Sequence, residues 1–405
     1  MRSLKNEART ARHAAVLDEA SLEFNRAGVA GASLVELARR IGITRAGLYN
    51  YCADRQDLVT QCYLRACADM QADLQRAAQL PGASLDKVVA FINLALDPHH
   101  RPVAVLTELG FLSAEQQARV RAARQENIRI LRDMIAGGVR DGSVRACDHN
   151  LAAHCVFGML TWSTLSRVWT NNPDETLPGR LAKVVPVIVA DGMASDGTKV
   201  PTCRLRIADV IPTSPGRDET LEALARAGSN LFNHRGIDGV SLDEVAAEIG
   251  LTKGAIYHHF DSKPAFVAYC YDRAFKVYEA IQDAAGTGKT GIECLMILIH
   301  LTTEAQLEEI HTLWPTTGFG SLSETLQRRL SERSNFLIGR GAELARRGIV
   351  DGTVRPLDIL PMNLASAGAH SLLAQWLPAD ESRSPPEIAH EIGRFLFLGL
   401  RNRGP

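Results

Sequence analysis

Apolar positions recur at three- and four-residue intervals along nearly the whole chain. This is the period of helices that turn one face to a core. Strand alternation and hairpin turns are nearly absent, so the pattern predicts an all-α protein. The clearest stretch begins at Ser241-Leu-Asp-Glu244, a serine three residues before a glutamate at the head of an apolar face. The hydroxyl can accept from the Glu244 amide while the carboxylate reaches back to the Ser241 amide. A helix therefore starts at Leu242, presents Leu242, Val245, Ala246 and Ile249 to the core, and stops at Gly250, which enters the left-handed conformation without a Cβ clash. Thr252 caps a second predicted helix, Lys253 to His259. Two short helices joined at a glycine turn make a helix-turn-helix.

The same string occurs earlier. Shifted by 208 residues, Phe24–Leu58 aligns without a gap on Phe232–Phe266, with Ser33/Ser241, Glu36/Glu244, Gly42/Gly250, Thr44/Thr252 and Tyr49/Tyr257 identical. Further on, Asp141-Gly-Ser-Val-Arg145 matches Asp351-Gly-Thr-Val-Arg355 at an offset of 210, followed by Asp148/Asp358 and Gly158/Gly368. A period this long marks a tandem pair of domains rather than a solenoid. The expected organisation is a helix-turn-helix head at 1–58, a helical domain at 59–191, a linker at 192–214, a second head at 215–266 and a second helical domain at 267–405. The linker is rich in Gly, Pro, Ser and Thr, with Leu205–Ile211 read as a short extended piece.

Composition narrows the function. The 405 residues include 45 basic and 46 acidic side chains, for a formal charge of −1, and 46% are hydrophobic. That excludes a disordered chain and one that coats nucleic acid by bulk attraction; any contact with DNA must come from local geometry. Eight cysteines show no C-x-x-C spacing and read as reduced thiols. No secretory leader and no run long enough to span a bilayer is apparent, so a cytoplasmic location with no membrane partner is expected.

In a helix-turn-helix the second helix enters the major groove and its early residues meet base edges. The candidates are Thr44, Arg45, Gly47 and Asn50 in the first copy and Thr252, Lys253, Gly254 and His258 in the second. Amides at the start of that helix can receive a phosphate, and the capping serines Ser33 and Ser241 are counted with the DNA-binding candidates. Tyr49, Tyr51 and Tyr257 can donate a hydroxyl to the DNA backbone, His259 ends the second reading helix, and Arg55 and Lys263 can add a charge to a phosphate. The charge balance is unhelpful: residues 1–60 carry nine Lys/Arg against seven Asp/Glu, and residues 213–266 carry five against eight. Affinity for phosphate would rest on a few placed contacts.

The string SLDEVAAEIGLTKGAIYHHFDSKPAFV resembles the N-terminal signature of TetR/AcrR-type bacterial transcriptional regulators. The resemblance covers about 45–50 residues of each half. It implies two tandem TetR-like units, each a three-helix head followed by a helical ligand-binding and dimerisation domain. It also implies operator DNA as partner, and a repressor released by a small, largely apolar effector. The segments Leu151–Trp169 and Leu360–Trp376, with final helices Pro178–Val189 and Glu387–Leu400, sit where the family builds its dimer bundle. Candidate pocket residues are Phe111, Phe157 and Trp162 in the first half and Trp314, Phe336 and His370 in the second. Two departures stand out. The family carries one head per chain, whereas this chain has two. The first copy also has Cys52 where the second has the family's phenylalanine, Phe260.

Fusion makes the second head intramolecular, and the two reading helices are free to diverge. The expectation is a single-chain pseudo-dimer formed by intramolecular pairing of the halves, with a homodimer of fused chains as the competing arrangement. The alternative function is a helical ligand-binding or scaffold protein with one or both heads not binding DNA. No enzyme activity, cofactor or metal is expected. Gly286-Thr-Gly-Lys-Thr290 lacks the first glycine of a phosphate loop and reads as a helix connection.

Overall fold

A computed structural model describes residues 2–170, 172–211, 219–308, 310, 312–313, 322–371, 377 and 382–404. These form seventeen α-helices, one 3-10 turn and no sheet among the described residues. The first unit runs α1 (Arg2–Gly31), α2 (Leu34–Arg40), α3 (Arg45–Leu48), α4 (Arg55–Ala78), α5 (Ser84–Ala95), the 3-10 turn Leu109–Phe111, α6 (Ala114–Asp141), α7 (His149–Trp169) and α8 (Leu177–Asp191). After α9 (Ile207–Val210) the second unit repeats the order: α10 (Glu219–Arg235), α11 (Leu242–Glu248), α12 (Lys253–His259), α13 (Lys263–Ala285), α14 (Gly291–Leu307), α15 (Glu324–Val350), α16 (Ile359–Ser371) and α17 (Pro385–Leu398).

Each head is one longer helix followed by two short ones, and the next helix carries it into the body. In α4 the buried side chains Leu58, Cys62, Ala66 and Cys67, then Leu74 and Ala77, follow the helical spacing that lays one stripe on the core. The apolar segment Ile292–Leu301 is buried nearly all round in α14, which lies among α13, α15, α16 and α17. Gly286 ends α13 and Thr290 caps α14, so the Gly-Thr-Gly-Lys-Thr string is a helix connection.

The bundle segments of the two halves pack together. Helix α7 runs along α16, α8 also meets α16, and α17 touches both α7 and α8. At this crossing Gly158 meets Gly368 backbone to backbone, the pair matched at offset 210. Past the bundle, each unit's tail crosses to the other unit's Asp-Gly-x-Val-Arg turn. The Arg355 amide donates to the Met193 carbonyl at 2.8 Å, and the Arg145 amide donates to the Leu400 carbonyl at 2.8 Å. Bridges Ala194–Val354 and Val144–Arg401 complete this reciprocal clasp. Ion pairs add Arg180 to Asp358 at 2.7 Å and Arg383 to Asp148. A contact in which a residue and its counterpart exchange roles is the mark of two-fold pairing.

The segment between units differs from its expected form. Leu205–Ile211 is not extended: it holds the short helix α9, docked on α13 and α14 through buried Ile207. The fully buried Glu304 carboxylate accepts from the Ile207 amide at 2.7 Å and from Arg206 Nε at 2.6 Å, which turns the chain into the helix and anchors it. Among the described residues, no helix is long and apolar enough to cross a membrane.

Candidate nucleic-acid interface

Local chemistry builds the two heads in slightly different ways. In the second, the Ser241 hydroxyl accepts from the Glu244 amide at 3.2 Å and the Ser241 amide donates to the Glu244 carboxylate at 2.8 Å, the full reciprocal cap. The bond from the Ser241 amide, the Arg235 guanidinium at 2.7 Å and the Ser241 hydroxyl donating to the carboxylate at 2.9 Å hold the Glu244 carboxyl down to about 2. In the first head Ser33 accepts from the Glu36 amide at 3.2 Å, but Glu36 does not reach back. Its carboxylate pairs with Arg39 at 2.6 Å, and the Ser33 amide instead donates to buried Glu23 at 3.3 Å. The reciprocal serine–glutamate cap therefore closes only in the second copy, because Arg39 competes for Glu36 where the second copy has Ala247.

The turns are alike. Gly42 has φ +69 and Gly250 φ +72. Each lets the next amide reach back, Ile43 to the Ala38 carbonyl at 2.9 Å and Leu251 to the Ala246 carbonyl at 2.8 Å, closing the end of the first helix. The following helices differ. Helix α12 runs for the expected seven residues, whereas α3 covers only Arg45–Leu48 and continues as tight turns, with Tyr51 donating to the Leu48 carbonyl at 2.9 Å. Thr44 caps α3 by accepting from the Gly47 amide at 3.0 Å; Thr252 makes no side-chain cap.

The second helix of each motif faces solvent at its start. Thr44, Arg45, Asn50, Thr252, Gly254 and His258 are exposed, and Tyr49 and Tyr257 are each 44% exposed. A Cβ on Gly254 would meet nothing closer than 3.9 Å, so that surface stands open. Gly47 is half-buried over the Thr44 hydroxyl. The side chain of Lys253 lies outside the described residues. Exposed Ser33 and Ser241 hold the starts of α2 and α11. His259 is half-buried against Phe260, and Lys263 is half-buried with burial pulling its ammonium below the usual lysine range.

Two expected phosphate ligands have other contacts. Arg55 donates through Nη1 to the carbonyls of Val29 at 2.8 Å and Ala30 at 2.6 Å, closing the end of α1. Tyr51 is half-buried and stacks on His13, with ring centroids 6.0 Å apart. The Tyr51 stack belongs to a polar latch around Cys52, in which His13 Nε2 and Gln61 Oε1 lie 2.8 Å apart and Gln61 donates to the Tyr51 carbonyl at 3.0 Å. In the second head Phe260 occupies the position of Cys52 and packs on Phe266 and Tyr269 at 5.0 and 5.2 Å. The smaller Cys52 is buried, and burial pushes its thiol up to about 11.

The heads share a footing that the sequence did not reveal. The buried Glu108 carboxylate accepts from the Val29 amide at 2.6 Å, under the first head. Two residues on, Gly110 lies against the end of α10 in the second head, where a Cβ would stand 2.4 Å from Arg235 Cα.

The pocket candidates divide. Phe157 lines a cavity of about 620 Å³ in the first unit. Trp162, although on α7 of the first unit, lines a cavity of about 190 Å³ in the second, together with His370. Phe111 lines neither cavity and packs on the core of the first head, drawn there by the 3-10 turn. Phe336 is corrected outright. It is 60% exposed, because α15 turns Leu330, Ser331, Ser334 and Gly341 inward and leaves residue 336 on the far side. Trp314 lies outside the described residues.

Comparison with known proteins returns matches over both parts of this architecture. The family profile described as bacterial regulatory proteins, tetR family, matches residues 224–270. A second, the tetracyclin repressor-like C-terminal domain, matches residues 81–165. The Transposon Tn10 TetC protein of Escherichia coli is 34% identical over 187 residues, covering 44% of this chain and 88% of that protein. The uncharacterized HTH-type transcriptional regulator YwcC of Bacillus subtilis (strain 168) is 39% identical over 57 residues, 14% of this chain and 26% of that protein. Among solved structures, PfmR, a TetR family transcriptional regulator from Thermus thermophilus, has a TM-score of 0.39 at 21% identity, covering 44% of this chain and 97% of that one.

Proposed function

The chain belongs to the TetR family of bacterial regulatory proteins, and from that premise we propose that it is a single-chain pseudo-dimeric repressor, released from its operator by a small molecule. The reading helices are α3 and α12. Thr44, Arg45 and Asn50 in one half-site and Thr252, Lys253 and His258 in the other meet base edges, while Tyr49, Tyr257 and Lys263 meet the backbone. Arg45 against Lys253 and Asn50 against His258 give the two half-sites different sequences, so the operator is an imperfect palindrome.

The observation that carries this reading is the reciprocal packing of α7 and α8 on α16 and α17, with both reading helices left exposed. One chain then supplies what two subunits of a one-head regulator would. An effector acts by favouring a head spacing that misfits adjacent turns of the duplex, roughly 34–36 Å apart.

A gel-shift titration on flanking promoter DNA, with light scattering of the complex, tests the proposal. One chain per minimal operator, with sequence preference lost half-site by half-site in Arg45→Ala and Lys253→Ala, is the expected outcome. Two chains per minimal operator would point to a homodimer of fused chains, and no binding at any salt to a scaffold.

A further inference from the structure

Trp162 belongs to the first unit, yet it lines a cavity of about 190 Å³ inside the second, among α13, α14, α15 and α16. It enters at the crossing of α7 on α16, where a Cβ on Gly368 would stand 2.6 Å from the Trp162 Cβ. Its indole Nε1 is buried and has no hydrogen-bond partner among the described residues. Gln282, on the α13 wall of the same cavity, is in the complementary condition. Its Nε2 donates to the Leu337 carbonyl at 2.8 Å, which fixes the orientation of the amide. The buried Oε1 is then left without a partner among the described residues. Each of the two side chains is 7% exposed.

Other polar groups on this wall are matched. The Tyr278 hydroxyl lies 3.1 Å from the Thr312 hydroxyl, and Asn363 donates to the Ile338 carbonyl at 3.1 Å. No Asp, Glu, Lys or Arg occurs among the described lining residues, and burial pulls the His370 imidazole down to about 4, which leaves it neutral near pH 7. One donor and one acceptor therefore stand unmatched in an uncharged, mostly apolar wall. A buried polar group without a partner is costly, and an ion placed beside it without a counter-charge is costlier still.

The first unit has the same cavity without this pair. Met70, Asn127 and Phe157 line a cavity of about 620 Å³ there, and their counterparts Tyr278, Leu337 and Ala367 line the smaller one. At the two critical positions the halves differ: the shift of 208 sets Leu74 on Gln282, and the shift of 210 sets Trp162 on Leu372.

We propose that the second cavity binds a neutral molecule about one ring in size, whose polar group accepts from Trp162 and donates to Gln282. An apolar cavity of roughly 150 Å³ admits a benzene ring, and a hydroxyl is the smallest group that offers both a donor and an acceptor. This rests on the reading of the helical units as effector domains and adds the chemistry of an effector. Gln282 is carried by α13, the helix that leads out of the second head, and Trp162 by α7 of the first unit. The occupant thus ties the support of one head to the opposite half, where a change of pairing is a change of head spacing.

Calorimetric titration of the full chain with p-cresol, with its isostere p-xylene and with benzoate, in the absence of DNA, tests this. The expected result is one p-cresol site per chain, preferred over p-xylene by at least about tenfold, from which benzoate does not displace it. Trp162→Phe and Gln282→Leu each remove most of the preference. The Trp162 indole N–H resonance moves further downfield with p-cresol than with p-xylene. Equal affinity for p-cresol and p-xylene would mean that water serves both groups, and overturns the proposal. Displacement by benzoate, or a preference that survives both substitutions, does the same. Should the variants fail to fold, the three probes and the indole resonance of the unaltered chain still decide. Binding of p-cresol that leaves operator affinity unchanged would refute effector release and leave this site standing. A chain that reads its operator but shows no preference for p-cresol would do the reverse.

Discussion

Gly158 of the first unit and Gly368 of the second meet backbone to backbone. A Cβ on Gly158 would stand 2.3 Å from the Gly368 carbonyl oxygen, and one on Gly368 would stand 2.7 Å from the Gly158 carbonyl oxygen. Counterparts in the duplication touch each other only near an axis that exchanges the two halves. The position of α7 against α16 is therefore set by the absence of two side chains.

Substitution at this crossing is expected to cost stability despite the gain in helix propensity. Gly158→Leu forces the helices apart and should lose about 1–3 kcal/mol from overpacking alone. Gly339→Ala is the control: it lies inside α15, where an added Cβ meets nothing within 4 Å, and should gain about 0.5–1 kcal/mol. Chemical denaturation of both variants checks the pair of signs. Equal effects would mean that the crossing tolerates bulk.

Arg55 is expected to act on the fold of the first head rather than on DNA. Its two bonds to the carbonyls of Val29 and Ala30 replace helix bonds that the end of α1 lacks. Arg55→Met should cost about 1–3 kcal/mol and speed amide exchange in α1 and α2, while the salt dependence of DNA binding stays as it was. A salt slope lower by about one would restore Arg55 to the phosphate contacts.

Acid should destabilise the protein through its buried histidines. Burial holds His154 down to about 4, with the nearby Arg124 charge adding to the effect, and burial does the same to His300 and His370. A depressed cationic group binds its proton more readily in the unfolded chain. Its stabilising contribution is therefore complete above the ordinary value near 6.5 and drains away as pH falls toward 4. Unfolding free energy measured across that window should decline, and His154→Gln should flatten the decline. An unchanged slope in the variant would remove His154 from the account.

The shared footing of the heads should matter to DNA more than to folding. Gly110→Leu places a side chain where Arg235 Cα now stands and so shifts the second head against the first. Operator affinity should fall by about tenfold or more, while the separate binding of each half-site changes little. Parallel loss at both would show that the substitution damages a head instead of their spacing.

The heads were legible because their signals are local. Ser241 and Glu244 lie three residues apart and form the cap that their spacing announced; Gly250 takes the left-handed turn, and α12 spans the predicted seven residues. The duplication made the second reading of the same grammar nearly free, although Arg39 diverted Glu36 from its expected role. The clasp of Met193 with Arg355 and of Leu400 with Arg145 was not legible, because its partners are separated by more than 150 residues and use backbone groups that any residue possesses. Aromatic type alone was a poor guide to the cavities. Phe336 points outward on α15, whereas Gln282 was hidden beside Asp283 in a stretch that reads as a solvated helix end. Aligning the two halves through α4 and α13 would have exposed it, since Gln282 falls opposite Leu74.

The crossing of α7 on α16 is carried by one polypeptide, so dilution cannot dissolve it. For the regulator proposed here, occupancy of an operator would rise with the first power of copy number, where a pair of separate subunits at low abundance would follow the square. A cell holding only a handful of molecules would still have every one of them ready to bind, and none could trade partners with a related regulator.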